Sequence, residues 1–532
     1  TPYESLEPEC TVPQNGAELF PANAIVIQRL EGKMIPSHAV HTCIRKSVLY
    51  NKVSKSTEVP ASLRPFYKDD EYIDPWIVGA RKICPPPVHI PDYIIDGAVN
   101  SYECLLMEGI HKFEPRVLTI REVLFGVEGV AEIRGVTRGT SAGYPSTVPG
   151  IRNFKQEIFA CVDGSSEQDK IIAEYEVVIQ AHIANMRLNK RPYFLNVAHL
   201  KDQRRPPGKL ARIFSASPFD LLIINMMYFG AFVGFYTANR ITNGSAVGVN
   251  QYSTEWNTIA KELNQFSAAP NIGAGDYSCY DGSQLPVIHN AIKGIIQRWY
   301  GKEDSIIRDI LFLEITNSRS IFGDLVVEWV GYLPSGNYLT ITINTMYNNL
   351  NLRMCWIILD LPISEFNTNV YMVSVGDDIT YSVSRQYKDQ FNDMLIVEPM
   401  AAIGMTYTNE LKGETLVPMR DLSEVEFLKR KFIYTPTLGI YIAPLRLEVC
   451  LEMLNWTKKT SKGVTSIDIT CDNITTSLNE LALHPIETFE KYSGLIQNQV
   501  QELLSHNHFS RSPWLSFRER RNLVLKSDQI IC

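Results

Sequence analysis

Hydrophobic and polar positions change rhythm along this chain. Residues 1–90 are rich in proline and mixed polar residues, with few long periodic segments. That pattern predicts irregular, draped structure rather than a compact unit. Residues 100–236 mix short helical patterns with loops and end in a largely apolar run, Leu221 to Tyr236. From 270 to 435 short apolar strands stop at acidic or small residues, with helical segments between them. Asn271–Asp276 reads as a strand ending at a carboxylate, and Thr340–Leu352 as a helix. Val370–Val375 and Ile379–Val383 read as two strands joined by a tight Gly-Asp-Asp turn. After Tyr434, and from Leu445 to the end, the composition is helical. Strands packed against segregated helices predict an α+β core with helical additions.

The apolar run tempts a membrane assignment. As a helix its 16 residues would reach about 24 Å at about 1.5 Å per residue, short of the ~30 Å hydrocarbon core. Asn225 also lies inside it, so a buried core helix is the expectation and no transmembrane segment is assigned. No basic-then-apolar leader is expected either. At 532 residues the chain is too long for one ordinary core and should divide into subdomains. With 45% hydrophobic and 20% charged residues it reads as globular. Ten cysteines show no Cys-x-x-Cys pair or zinc-ligand spacing, so free, mostly buried thiols are expected. The net charge of −7 speaks weakly against nucleic-acid binding, unless the basic residues cluster.

They do cluster. Arg191 to Phe214, RPYFLNVAHLKDQRRPPGKLARIF, carries Lys201, Arg204, Arg205, Lys209 and Arg212 against a single Asp202. Such a run reads as a solvated face, or as a strand projecting its cations one way toward a triphosphate. Acidic residues gather elsewhere. In DYSCYDGS, Asp276 closes an apolar strand and Asp281 follows. In VYMVSVGDDITYS, two apolar strands flank Gly376-Asp377-Asp378. Glycine at a hairpin tip supplies positive φ, and adjacent carboxylates repel unless a cation neutralises them. An ordinary acidic turn and a Mg²⁺ or Mn²⁺ site both fit, since oxygen-only ligands disfavour zinc. In LPSGNYLTITINTMYNNL, Thr340, Asn344 and Asn348 share one helix face. That face is either solvated or, because Ile341, Ile343 and Leu350 imply packing, in need of partners such as a ribose hydroxyl.

In this order the motifs resemble those of the RNA-dependent RNA polymerases of picornaviruses and their relatives, with the flavour of the insect picorna-like viruses, iflaviruses among them. TSAGYP, from Thr140, Ser141 and Gly143 to Pro145, resembles the family's template-channel motif. The basic segment resembles its nucleotide-channel motif, with Lys201, Arg205 and Arg212 at the matching positions. DYSCYDGS matches the first palm motif, PSGNYLTITIN the second and VGDD the third. GMTYTNELK places Lys412 at the general-acid lysine. EFLKR resembles the primer grip through Phe427, Leu428, Lys429 and Arg430. The resemblance runs from about residue 135 to 460. Val375 departs from the tyrosine usual before Gly-Asp-Asp, which bears on packing of the primer end rather than on chemistry. Cys279 replaces a small residue and is read as packing.

The resemblance implies a right hand: fingers at 1–228 and 317–333, palm at 229–316 and 334–434, thumb at 435–532. The N-terminal fingers should reach the thumb and enclose the site, with an additional protruding element in the first 130 residues. It implies two Mg²⁺ ions, with Mn²⁺ as a substitute, about 3.5–4 Å apart. Asp276 and Asp377 would bridge them, with Asp378 and the carbonyl of Tyr277 as further ligands. Lys201, Arg205 and Arg212 would hold the triphosphate, and Lys412 would protonate pyrophosphate. Asp281, Ser335, Thr340 and Asn344 would form one network reading the ribose 2′-OH. Implied partners are template and product RNA, NTPs, a small genome-linked protein primer and viral replication proteins, with self-association left open. The implied location is membrane-associated replication complexes in the host cytoplasm. A reverse transcriptase would place a bulky residue near Asp281, and a non-catalytic RNA-binding scaffold would have lost a metal ligand; neither is seen.

Overall fold

A computed structural model describes residues 20–526, apart from 37, 110–112, 146–154, 156–164, 414, 460–462 and 504–513. The apolar run forms the helix Phe219–Ala238, which is buried nearly all round. It is long and apolar enough to cross a membrane, but 78% of its most hydrophobic window is buried inside the protein. A helix that is hydrophobic on every face belongs in a core, as expected.

The element on which the rest is built is the helix Thr340–Ile358, buried from Thr342 to Trp356. It extends six residues beyond the expected Leu352, because Arg353, Cys355 and Trp356 are buried as well. It packs against the helices Asp92–Met107 and Pro286–Tyr300 on one side and the strand Val370–Val375 on the other.

That strand opens a four-stranded antiparallel sheet. Its order is Val370–Val375, Asp378–Val383, Ile272–Ser278 and Thr406–Asn409. Two boundaries differ from expectation. The carboxylate strand does not stop at Asp276 but continues to Ser278, because Thr406–Asn409 pairs along it past that point (Thr408 with Asp276, Thr406 with Ser278). The second hairpin strand starts at Asp378, which pairs with Val375.

A second sheet has five strands in the order Ala24–Arg29, Leu325–Trp329, Arg319–Phe322, Asn196–Leu200 and Ile213–Ala216. The basic segment is therefore not one strand with cations along a face. Asn196–Leu200 and Ile213–Ala216 are antiparallel partners, and Lys201, Arg205 and Arg212 fall on the connection between them. Pro206, Pro207 and Gly208 break any continuous strand there.

The N-terminal residues are draped, as expected. Ile44–Lys46 pairs with Trp456–Lys458, and Val59–Pro60 pairs with Arg204–Arg205. The expected protruding element is not found among the described residues. The described residues between 20 and 130 are woven into neighbouring strands and helices, and among their strands only the short hairpin Phe66–Lys68 with Glu71–Ile73 pairs with itself alone. The thiols also differ from expectation. Among the described residues Cys355 and Cys450 are buried, whereas Cys43, Cys84, Cys104 and Cys279 are exposed.

Two glycines set the thickness of the palm-like sheet. Beneath the carboxylate strand, the Tyr381 ring lies over Gly273 and the Tyr407 ring over Gly275, each where a Cβ would stand. Replacing Gly275 with alanine would push a methyl into the Tyr407 ring. Gly275→Ala should therefore destabilise the fold by about 1–3 kcal/mol, as overpacking does. The measure is the urea midpoint at constant slope, and an unchanged midpoint would show that the ring moves aside freely.

Candidate active site

Asp276 is almost fully buried, at 4% exposure. Its Oδ1 accepts from the amide of Tyr277 at 2.6 Å, and its Oδ2 lies 2.8 Å from Lys412 Nζ. The neighbouring hairpin turns at Gly376, whose φ of +63° is the left-handed region open to glycine. The turn is fastened to the central helix. The Gly376 amide donates to Thr345 Oγ1 (3.0 Å), and its carbonyl accepts from Asn348 Nδ2 (2.9 Å). Ile379 pairs with Gly275, so the same register carried one residue further sets Asp378 opposite Asp276.

Three carboxylates thus crowd one end of the sheet. Burial first, then the charge of Asp276, raises Asp377 to about 6. Burial, then the charges of Asp377 and Asp276, raises Asp378 to about 7. Lys412 opposes both shifts. Among the described residues no three His, Cys, Asp or Glu side chains are closed around one metal position. The donor chemistry nonetheless fits a hard divalent cation: oxygen-only ligands whose mutual repulsion a cation would relieve.

The four residues expected to read a ribose are only partly joined. Asn344 Nδ2 donates to Asp281 Oδ1 at 2.8 Å, and Tyr280 holds the Asn344 carbonyl with its hydroxyl at 2.7 Å. Burial raises the Asp281 pKa, while the Asn344 hydrogen bond and the Arg212 charge oppose it. Thr340 donates back to the Pro334 carbonyl of its own loop (2.9 Å), and the Ser335 carbonyl accepts from Ser215 N (2.8 Å), so neither bond reaches the Asp281–Asn344 pair.

A cleft of about 1610 Å³ opens above the carboxylates, lined by Asp276 and Asp378 and by Arg204, Arg205, Lys209, Arg212, Lys412 and Lys429. Lys201 lies beside it, its amide donating to the Arg212 carbonyl at 2.8 Å. The negative net charge therefore conceals a local gathering of cations, interleaved with Glu58, Glu410, Glu426, Glu448 and Glu452. Arg191 belongs elsewhere, paired with Glu314 and Glu328.

The remaining candidates divide into cleft-facing and structural groups. Glu426–Phe427 and Arg430–Lys431 form a hairpin turning at Leu428 and Lys429, both with positive φ. Lys429 is exposed. Phe427 is buried and stacks on Trp256, and Arg430 is buried and binds both Glu480 oxygens at 2.7 and 2.8 Å. In the Thr140 motif, Thr140 Oγ1 accepts from Lys155 Nζ (2.8 Å) and Ser141 Oγ from the Gly143 amide (3.1 Å). Gly143, with φ +72°, packs on the backbone of Ser217 and Pro218. Cys279, expected as packing, is instead an exposed residue with φ +53°. Val375 packs half-buried against the cluster that includes Trp256 and Phe427.

The model of the family described as viral RNA-dependent RNA polymerase matches residues 49–497. The chain belongs to that family. The replicase polyprotein of acute bee paralysis virus is 28% identical over 503 residues, covering 90% of this chain and 26% of that protein. The replicase polyprotein of cricket paralysis virus is 30% identical over 500 residues, covering 86% and 27%. The chain thus spans about a quarter of the length of these curated relatives. Among solved structures, a Sicinivirus 3Dpol RNA dependent RNA polymerase superposes with a TM-score of 0.76 at 20% identity, covering 94% of this chain and 99% of that one. It shares the right-hand α+β polymerase fold. The likeness reaches well beyond the expected span of 135–460 at both ends.

Asn348 is the joint between this polymerase family's two acidic motifs here. Its Nδ2 holds the Gly376 carbonyl, and its Oδ1 accepts from the Tyr277 hydroxyl at 2.8 Å. Asn348→Ala strands both buried groups and should cost about 1–3 kcal/mol per unpaired group. Chemical denaturation should show a lowered midpoint, and a wild-type midpoint would mean that water replaces the amide.

Proposed function

We propose that this chain performs template-directed nucleotidyl transfer from NTPs to an RNA 3′-hydroxyl, copying a positive-strand viral RNA genome. The observation that carries the reading is the set of buried carboxylates on adjoining strands of one sheet, at the floor of a cleft walled with cations. Family membership supplies the reaction class.

Asp276 and Asp377 would hold two Mg²⁺ ions, or Mn²⁺ in their place, with Asp378 and the Tyr277 carbonyl as further ligands. When bound, such ions lower the pKa of a primer hydroxyl and neutralise transferring phosphates. The chain's own groups do the rest. Lys201, Arg205 and Arg212 sit on the connection beside the cleft and attract the triphosphate, whose charge matches theirs. Lys412, close to Asp276 and largely exposed, is placed to give a proton to the departing pyrophosphate. Asp281, held by Asn344, reads the 2′-OH, with Ser335 and Thr340 shaping the loop beside it. Thr140, Ser141 and Gly143 guide the template. Lys429 and Leu428 contact the primer from a hairpin that Phe427 and Arg430 anchor.

Within the hand, residues 1–228 and 317–333 serve as fingers, 229–316 and 334–434 as palm, and 435–532 as thumb. The pairing of Ile44–Lys46 with Trp456–Lys458 supports a closed ring of fingers and thumb. The partners that follow are template and product RNA, NTPs, a small genome-linked protein primer and other replication proteins. The setting is membrane-associated complexes in the host cytoplasm.

Primer extension on an RNA template with Mg²⁺, comparing NTPs with dNTPs, tests the reading. Asp377→Asn should slow nucleotide addition at least about a hundredfold, roughly 2.7 kcal/mol in the barrier, with the fold intact by circular dichroism. Elongation within about tenfold of wild type would sink the metal assignment. For sugar choice, incorporation of CTP and dCTP opposite a template G is the measure. Asp281→Ala should lower the CTP preference by at least about tenfold, the scale of one hydrogen bond to a charged group. Equal slowing of both substrates would make Asp281 structural or a metal ligand.

A further inference from the structure

Behind the Asp281–Asn344 pair lies a row of buried polar side chains that the reaction itself does not use. Gln284 Nε2 donates to Asn344 Oδ1 at 2.9 Å, and His289 Nε2 lies 2.8 Å from Gln284 Oε1. Gln284 and His289 are each 1% exposed. Gln284 stands in the turn after DYSCYDGS, and His289 one turn into the helix Pro286–Tyr300. Neither lines the cleft.

With Asp281 ionised, the direction of each bond in this row follows from the donors and acceptors available. An ionised Asp281 only accepts, so Asn344 must present its NH₂ to it. The Asn344 carbonyl oxygen then faces inward and needs a donor, which is the Gln284 NH₂. The Gln284 oxygen in turn needs a donor, which is the His289 Nε2–H. His289 can supply one proton there only as the Nε2–H tautomer. That tautomer leaves Nδ1 as a bare lone pair, and Nδ1 has no hydrogen-bond partner. An orphan lone pair is tolerated in a buried site better than an orphan N–H. Burial holds the imidazole pKa down at about 4, so the ring stays neutral and the row keeps one polarity. Its Tyr347 neighbour meets it edge-on at 5.7 Å, and Tyr347 gives its oxygen to the Leu285 amide at 2.9 Å, fixing the start of the same helix.

We propose that Gln284 and His289 are positioning residues for sugar selection: the histidine tautomer sets the Gln284 amide, which sets the Asn344 amide, which orients Asp281 toward the ribose 2′-OH. The inference rests on the ribose-reading role given to Asp281 above. Without the row, the buried Asn344 oxygen loses its donor and the amide is held at one end only, by Asp281. The carboxylate meant to meet the 2′-OH is then less firmly aimed, and the NTP would lose affinity while the dNTP, which makes no such bond, would not.

The test is the ratio of kcat/KM for CTP over dCTP opposite a template G, measured on the full chain. Gln284→Met keeps the side-chain volume and removes both hydrogen bonds; His289→Phe keeps the ring and removes the donor. Each should lower the ratio at least about fivefold, within the range of one lost hydrogen bond, through the CTP arm alone. In an Asn344→Ala background neither should lower it further, because residues acting through one partner are non-additive. Should one variant fail to fold, the other decides through the same cycle. If Gln284→Met lowers the ratio as much in the Asn344→Ala background as alone, it acts through packing and the relay is overturned. If both variants keep the wild-type ratio while Asp281→Ala loses it, the relay is wrong and the ribose reading stands. If Asp281→Ala also keeps it, the ribose reading has failed and the relay with it.

Discussion

The whole site hangs on one constraint: a helix buried on all sides carries polar side chains, and those nearest the acidic motifs find their partners in the protein rather than in water. Along Thr340–Ile358 the partners are the very segments that bear the chemistry. Thr345 and Asn348 take the amide and carbonyl of Gly376 at the hairpin tip. Asn349 takes the Gly244 carbonyl at 3.0 Å and comes within 3.4 Å of Ser374 Oγ. Asn344 takes Asp281, and Thr340 closes the loop that leads into the helix. An unpaired buried amide costs about 1–3 kcal/mol. The loops therefore cannot drift without stranding several groups at once, and the acidic side chains they carry are fixed relative to one another. Two motifs about a hundred positions apart in sequence are held in register by a third.

The sheet is braced from beneath by a second buried polar group. Asp393 is fully enclosed and accepts from the Tyr381 hydroxyl (2.9 Å), the Tyr407 hydroxyl (2.8 Å) and the Ala274 amide (3.2 Å). These groups come from three different strands of the sheet. The two glycines make room for the tyrosine rings, so small residues above and a carboxylate below are one device. Arg420 joins the device to its surroundings, lying 3.5 Å from Asp393 and binding both oxygens of Glu410 at 2.7 and 2.9 Å. Glu410 stands two residues before Lys412. The network beneath the carboxylate strand thus continues into the loop that carries the lysine.

Much of this was legible in the sequence, for a physical reason. Acidic residues at the ends of apolar strands, a glycine at a hairpin tip and a polar stripe on an otherwise apolar helix are local conflicts between chemistry and burial. Sequences retain such conflicts where a site pays for them. What was not legible is what depends on contacts between distant segments. The strands expected to end at Asp276 and to begin at Ile379 run further, to Ser278 and from Asp378, because pairing with Thr406–Asn409 and with Val375 extends them. Arg430 and Phe427 read as primer contacts, yet Glu480 and Trp256, far away in the chain, draw them into the core. Gln284 and His289 carried one faint signal: a glutamine and a histidine beside Leu285, Pro286, Val287 and Ile288, an apolar setting that demands partners.

The pairing of Lys412 with Asp276 looks at first like competition for the metal position, but exposure decides otherwise. The lysine side chain is 64% exposed and the carboxylate 6%. A pair with one partner that open to water is weak, because solvent screens it and four rotatable bonds must be frozen to hold it. Asp276 gains little from the lysine beyond partial relief of its neighbours' repulsion. A divalent cation approached by several carboxylates gains from each of them, and it inverts the sign of the field that pushes Asp377 and Asp378 upward. Were a divalent cation bound as proposed, the exposed ammonium would be the group to yield, since Asp276 is enclosed and Lys412 is not. The acidic floor and the cations of the walls, Arg204, Arg205, Lys209 and Arg212, are thus two halves of one electrostatic arrangement, and Lys412 stands where they meet.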